Sequence, residues 1–254
     1  MSAVIIGLLV AACIFAAGIG AMWLHRVLPQ DQLSKETQDV VRLGTGMLSV
    51  LASLVLGLLI ATAKTSYDTT DHEIRSFAAD LILLNETLRD YGGAAAVPQS
   101  RLRQFTRQML EDIWPAANDH KALRDNPSTG DQLEHVREAI RALTPLDAGQ
   151  RWLQDQSLEI NISLMRARWL LVAQEGSSVR PIMLVILVGW IALIFASFGM
   201  NAPRNRTVTA AFLVCSLSIG GAVFLVLQLD DPFAGTMKIS PRPLQTALAH
   251  MGPG

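Results

Sequence analysis

The chain has 254 residues, of which 50% are hydrophobic and 17% charged, with a formal net charge of -1 from 21 Lys and Arg against 22 Asp and Glu. A soluble domain carries about 25% charged residues, so this composition argues against an ordinary soluble enzyme. The near-neutral balance lacks the clustered basic surface that nucleic acid requires, and nucleic-acid partners are not expected.

Charge is absent from four stretches, residues 3–24, 43–63, 181–200 and 207–229. At about 1.5 Å per residue each matches the roughly 30 Å thickness of a bilayer core. In hydrocarbon every backbone polar group must be satisfied within its own segment, so separated apolar runs without alternation imply helices and not a barrel. The expected fold class is an all-α membrane protein: four transmembrane helices with a helical extramembrane domain between the second and third. The expected divisions are 1–64 for the first two spans, 65–180 for the domain, 181–229 for the last two spans and 230–254 for a tail with a short helix. Met1 and Ser2 lead into the first span with no Lys or Arg before it, unlike a cleavable signal peptide, so that span is expected to be retained. Cys13 and Cys215 lie inside apolar runs and read as small apolar fillers.

In chain order, the first span offers Ala12, Ala16 and Gly20 at the four-residue spacing of small residues that lets membrane helices pack. The second span, at 100° per residue, places Arg42, Gly46, Ser49, Ser53, Gly57, Ile60 and Lys64 within a stripe about 80° wide. Such a face is either a close helix-packing surface or a pore lining, with serine hydroxyls and glycine backbone toward ions and Arg42 and Lys64 at the two mouths. No Gly or Pro falls between Ile60 and Tyr91, so the second span is expected to leave the bilayer as one long helix carrying Asp68, Asp71 and Arg75.

Beyond it, Ile74, Phe77, Leu81, Leu84 and Leu88 recur at three- and four-residue steps up to a stop at Tyr91-Gly92-Gly93. Leu102, Phe105, Met109 and Ile113 mark a second domain helix closed by Pro115, and residues 116–130 read as a solvated loop. Leu133, Val136, Ile140 and Leu143 mark a third helix that stops at Thr144-Pro145. A fourth runs from about Ala148 to Glu175, with Trp152, Leu158, Ile162, Met165 and Trp169 expected in the bundle core.

In the third span Trp190 reads as a bulky packing residue. In the fourth, Ser216 and Gly220 repeat the small-residue spacing. Asp230 and Asp231 then stand at the membrane edge, either as interfacial markers or as partners for Lys238 and Arg242. Ser240-Pro241 is expected to open a terminal helix with Leu244 and Leu248.

No span contains Asp, Glu or His, which disfavours an ion-coupled transporter or proton pump. The five histidines are scattered, and His72-Glu73 and Glu134-His135 with Glu138 read as solvated helix faces, so no metal site is expected. No nucleophile elbow, phosphate loop or HExxH pattern occurs. No catalytic residue and no cofactor is therefore expected, and enzyme is the least supported class.

Three segments resemble a family of uncharacterised bacterial four-span proteins called bestrophin-like. The first is the second span with its exit, Val41-Arg42-Leu43-Gly44-Thr45-Gly46 and Leu56-Gly57-Leu58-Leu59-Ile60-Ala61-Thr62-Ala63-Lys64-Thr65-Ser66-Tyr67-Asp68-Thr69. The others are Ala202-Pro203-Arg204-Asn205 and Asp231-Pro232-Phe233-Ala234-Gly235 with Ile239-Ser240. Bestrophins proper are pentameric anion channels with four spans per subunit and a cytoplasmic helical region between the second and third. The resemblance therefore implies a homo-oligomer in the bacterial inner membrane, the second helix lining a pore for inorganic anions, and cytoplasmic termini and domain. Bestrophin pores have an aromatic neck, whereas the second span here has no Phe, Tyr or Trp, so selectivity and gating do not carry over.

Orientation is barely marked by charge. Lys64, Arg75, Arg166, Arg168, Arg180, Lys238 and Arg242 flank the spans on one side, against Arg26, Lys35, Arg42, Arg204 and Arg206 on the other, and leaving out the long loop reverses the balance. Two functions are thus expected: a passive ion channel or channel-related assembly of the bestrophin-like type, or a membrane-anchored scaffold or sensor whose helical domain binds a partner. In the channel reading, Lys64 forms a ring at one mouth, tuned by Asp68 one helical turn on.

Overall fold

The computed structural model describes residues 2–24, 35–114, 128–173, 180–233, 235 and 237–252. Among the described residues the helices are α1 (Ala3–Leu24), α2 (Lys35–Tyr91), α3 (Ala96–Ile113), α4 (Ser128–Arg141), α5 (Ala148–Ala173), α6 (Pro181–Asn201), α7 (Arg206–Asp230) and α8 (Arg242–His250), with a 3-10 turn at Gly93–Ala95. No strand occurs among the described residues. Among the described residues four helices, α1, α2, α6 and α7, are long and apolar enough to cross a membrane. The loop expected at 116–130 lies outside the described residues as far as 127, and Ser128 already belongs to α4. The link at Gly176-Ser177-Ser178 also lies outside them.

The chain forms two compact units, one of Met1–Tyr67 with Ser177–Met237 and one of Asp68–Gly176 with Lys238–Gly254. Helix α2 contributes to both. Its 57 residues extend about 85 Å at 1.5 Å per residue, far more than a bilayer core needs. It continues because nothing between Ile60 and Tyr91 breaks the backbone ladder, and it stops where Gly92 turns to φ 103°, a conformation that a Cβ would disfavour.

In the first unit α1 packs against both α6 and α7. Its buried face is Gly7, Val10, Ala11, Ile14, Gly18, Ala21 and Met22. Within one chain the expected small-residue face is therefore not the packing one: Ala12, Ala16 and Gly20 are exposed, and nothing stands within 4 Å of where a Gly20 Cβ would be. The difference is physical. Close approach is needed where two backbones cross, and it is Gly7 and Gly18 that meet Gly220 and Gly199 there. On α7 the expectation holds, with Ser216 and Gly220 both buried. Ile14, Ala52, Leu59, Ala63, Leu187 and Val223 share the core, with Trp190 packed against it as a partly buried filler. Phe195 and Phe212 add a tilted ring pair with centroids 5.6 Å apart. Cys13 and Cys215 are exposed on the single chain and not packed inside it.

The second unit is built on the outer part of α2. Ile74, Phe77, Leu81, Leu84 and Leu88 are fully buried, as their spacing predicts. Phe77 meets Phe105 of α3 with ring centroids 6.2 Å apart. Leu102, Met109 and Ile113 of α3 and Leu133, Val136 and Ile140 of α4 are buried as well. Helix ends are satisfied by side chains of α5. Gln150 Nε2 donates to the Tyr91 carbonyl at 3.2 Å, and Gln154 Nε2 donates to Ile140 and Leu143 carbonyls at 2.8 and 3.0 Å. Asp147 Oδ1 accepts from Gln150 N–H at 2.7 Å and so caps the start of α5.

The face that α5 buries differs from the expected one. Trp152, Ile162 and Trp169 are 63%, 50% and 62% exposed, while Ser157, Ile160, Asn161, Leu164 and Leu171 are buried. Asn161 Nδ2 donates to the Leu133 carbonyl at 3.4 Å, so a polar residue fills a core position where an apolar stripe was expected. Burial lowers the pKa of the Arg168 guanidinium on the same helix, with Asp112 and Asp131 acting in the opposite direction. The terminal helix also starts later than expected. Pro241 precedes α8, Pro243 lies in its first turn, and Ser240 Oγ accepts from the Arg242 N–H at 3.3 Å. Helix α8 packs on α3, burying Leu244 and Ala247, and Trp114 Nε1 donates to the Ile239 carbonyl at 2.9 Å.

Candidate functional site

Within the membrane unit α2 has three distinct faces. One packs into the core through Ala52, Leu59 and Ala63, with Leu48 and Val55 beside them. About 100° around the helix from it lie Arg42, Gly46, Ser49, Ser53, Gly57, Ile60 and Lys64. Arg42, Gly46, Ser53, Gly57 and Lys64 are exposed, and Ser49 and Ile60 are half-buried. Nothing stands within 4 Å of where a Cβ on Gly46 or Gly57 would be. Gly46 and Gly57 are thus not used for packing within one chain, whereas Ile60 at the edge of the stripe packs against the core. The third face is apolar and exposed, with Met47, Leu54 and Leu58.

The two serine hydroxyls of the stripe are turned to the backbone of α2 itself. Ser49 Oγ donates to the Thr45 carbonyl and Ser53 Oγ to the Ser49 carbonyl, both at 2.8 Å. A Ser whose proton is so engaged offers oxygen lone pairs to its surroundings, not a donor. Thr45 has a separate role that the stripe does not reveal. Its hydroxyl lies 2.8 Å from the Val41 carbonyl and 2.9 Å from Ser197 Oγ on α6, tying the start of α2 to its neighbour. A hydroxyl in each of two apolar spans was the available signal, but which pair meets depends on helix rotation.

At the other end of the stripe the Lys64 ammonium stands 6.0 Å from the centroid of the Tyr67 ring. Asp68, one turn further along α2, is exposed. Among the polar pairs noted in the sequence, His72, His135 and Glu138 are exposed and Glu134 pairs with Arg137. No group of three or more His, Cys, Asp or Glu comes together among the described residues.

Two family segments outside α2 also have a structural basis. Asn205 caps α7, its side chain accepting from the Val208 N–H at 2.8 Å, and Arg204 donates to the Met22 carbonyl at the end of α1. In the tail Gly235 has φ 85°, and a Cβ there would stand 2.5 Å from Gln228 Oε1. That oxygen also accepts from the Met237 N–H at 3.4 Å, so Gln228 and Gly235 shape the turn together.

Comparison with curated proteins gives no match. Among solved structures, one of a bacterial Bestrophin homolog from Klebsiella pneumoniae matches with a TM-score of 0.67 at 13% identity, over 96% of each chain. Two structures of variants of that homolog match with TM-scores of 0.69, one at 13% identity over 96% of each chain, the other at 14% over 96% of this chain and 95% of that one. At such identity the likeness shows the fold. A family model described as Bestrophin-like domain matches residues 12–244. That range takes in the α2 face, the capped start of α7 and the Gln228–Gly235 turn, and the chain belongs to the Bestrophin-like family.

Proposed function

We propose that this chain is the subunit of a homo-oligomeric passive ion channel in the bacterial inner membrane, with the Gly46, Ser49, Ser53 and Gly57 face of α2 turned toward a common axis. The observation that carries this reading is the exposure of Gly46, Ser53 and Gly57 on the single chain, beside a separate face that does most of the packing. A small, weakly polar surface is a poor complement to acyl chains, and it suits a water-filled axis or a close copy of itself. Arg42 and Lys64 then stand at the two mouths, favouring inorganic anions there, and Asp68 tempers the ring at the Lys64 end. Family likeness supports cytoplasmic termini and a cytoplasmic helical unit. No cofactor or catalytic residue takes part.

A second reading is a membrane-anchored scaffold or sensor. The exposed Trp152, Ile162 and Trp169 on α5 favour it, since exposed apolar patches serve partners. Ion flux from liposomes holding the purified protein separates the two. A chloride or sodium current that Gly57→Leu abolishes is expected of the channel. Liposomes no leakier than empty ones, from protein shown to be folded and inserted, overturn it in favour of the scaffold.

A further inference from the structure

Between the last turns of α1 and the first turns of α7 lies a cavity of about 730 Å³. Phe15, Ile19 and Met22 line it from α1, and Thr209, Ala210 and Leu213 from α7. Arg204, Asn205 and Arg206 form part of the same wall, together with Trp23. The volume is that of a ligand site, and the lining is largely apolar with convergent polar groups. The cavity belongs wholly to the membrane unit.

Three observations narrow the occupant. First, the cavity lies where the apolar run of α1 ends at Leu24 and that of α7 begins after Arg206. This is the depth at which headgroups meet acyl chains and where Trp and Arg are favoured. Second, Arg204 is held in place by its bond to the Met22 carbonyl, which leaves most of its donors for a ligand. Third, both arginines are exposed, and among the described residues neither has a carboxylate partner. A soluble anion would gain nothing from Phe15, Ile19 and Leu213. A neutral lipid would gain nothing from two guanidinium groups, whose planar forks suit phosphate oxygens.

We propose that this cavity binds an anionic phospholipid, its phosphate at Arg204 and Arg206 and one acyl chain along Phe15, Ile19 and Leu213. The site lies apart from the α2 face and needs no ion conduction.

Thermal unfolding of the full chain in neutral micelles tests it, with phosphatidylglycerol, phosphatidylcholine and glycerol phosphate as probes. Phosphatidylglycerol raises Tm in a saturable way by binding the folded chain, and the other two do not match it. The double variant Arg204→Gln/Arg206→Gln, read against its own lipid-free Tm because Arg204 also bonds the Met22 carbonyl, binds phosphatidylglycerol about tenfold more weakly or worse, as loss of charge-assisted bonds requires. Arg206→Gln alone, at an exposed position, gives an intermediate loss and serves if the double variant does not fold. Phosphatidylglycerol with a diazirine on its acyl chain labels α1 and α7 around Phe15 and Leu213. Equal responses to the two lipids, a full response to glycerol phosphate, or no response at all overturns the proposal. So does undiminished binding by the arginine variants. A photoreactive residue at Leu213 that joins a neighbouring copy in place of lipid assigns the cavity to a subunit contact and overturns it too.

Discussion

Gly7 of α1 and Gly220 of α7 face each other backbone to backbone: a Cβ on Gly220 would stand 2.6 Å from the Gly7 carbonyl oxygen, and one on Gly7 would stand 2.9 Å from the Gly220 carbonyl oxygen. Eleven residues on from Gly7, the same helix repeats the arrangement, where a Cβ on Gly199 of α6 would overlap the Gly18 carbonyl oxygen. Two glycine crossings on one side of α1 thus hold it against two neighbours. In lipid, where acyl chains are as apolar as leucine, such close contact supplies much of the drive for helices to associate.

Gly220→Val and Gly199→Val should therefore destabilise the membrane unit by about 1–3 kcal/mol each, the usual cost of overpacking a filled site, or more where the clash is with backbone. Gly20→Ala, with no neighbour within 4 Å, should change little. Reversible unfolding in mixed micelles measures the difference. Equal stability of Gly220→Val and Gly20→Ala would contradict the crossing geometry.

Gly57→Leu should behave differently from both. Among the described residues no atom beyond the adjoining backbone of α2 stands within 4 Å of a Cβ at Gly57, so the chain's own folding tolerates the larger side chain. The expected loss is in assembly or ion flux, read by size-exclusion chromatography with light scattering and by liposome flux. A variant with wild-type oligomer and wild-type flux would remove α2 from the axis.

Lys64→Glu should move the permeability toward cations, and Asp68→Asn should move it toward anions, if the two residues stand at one mouth as rings of opposite sign. Reversal potentials across a salt gradient give the direction of each shift. If neither moves while conductance persists, Lys64 serves only to mark the exit of α2 from the bilayer, its ammonium near the Tyr67 ring.

Thr45→Val and Ser197→Ala should each weaken the junction of α2 with α6, and together they should cost less than their sum. The 2.9 Å hydroxyl pair predicts a coupling of about 0.6 kcal/mol, the average for interhelical bonds in lipid. A double-mutant cycle in the same unfolding assay reads it. Additive losses would show that the two hydroxyls act separately.

Trp114→Phe keeps the ring and removes the Nε1 donor to the Ile239 carbonyl. A loss of about 1 kcal/mol in the docking of the tail is expected, as faster amide exchange at Leu244 and Ala247 with α3 unaffected. Unchanged exchange would mean that the Leu244 and Ala247 contacts alone hold α8.

Composition and periodicity determine the frame. Four uncharged runs of membrane length admit only helices, because lipid offers no partner for an open backbone, and the unbroken stretch from Ile60 to Tyr91 is enough to make α2 continuous. The small-residue stripe on α2 is legible for the same reason, since seven positions recur on one side of a 3.6-residue helix. Which face meets which neighbour is a different matter. Ala12, Ala16 and Gly20 satisfy the packing spacing as well as Gly7, Ala11 and Gly18 do, and only the crossing of α1 with α6 and α7 decides between them. Trp152, Ile162 and Trp169 have the apolarity of a core yet face outward, because Asn161 and Ser157 occupy the buried side of α5 and Asn161 bonds a carbonyl of α4. The lipid-sized cavity, likewise, is made from residues about 200 positions apart, Phe15 to Leu213, and no local pattern contains it. Periodicity specifies a helix and its faces; the rotation of one helix against another depends on contacts between segments distant in the chain, and that only the tertiary structure decides.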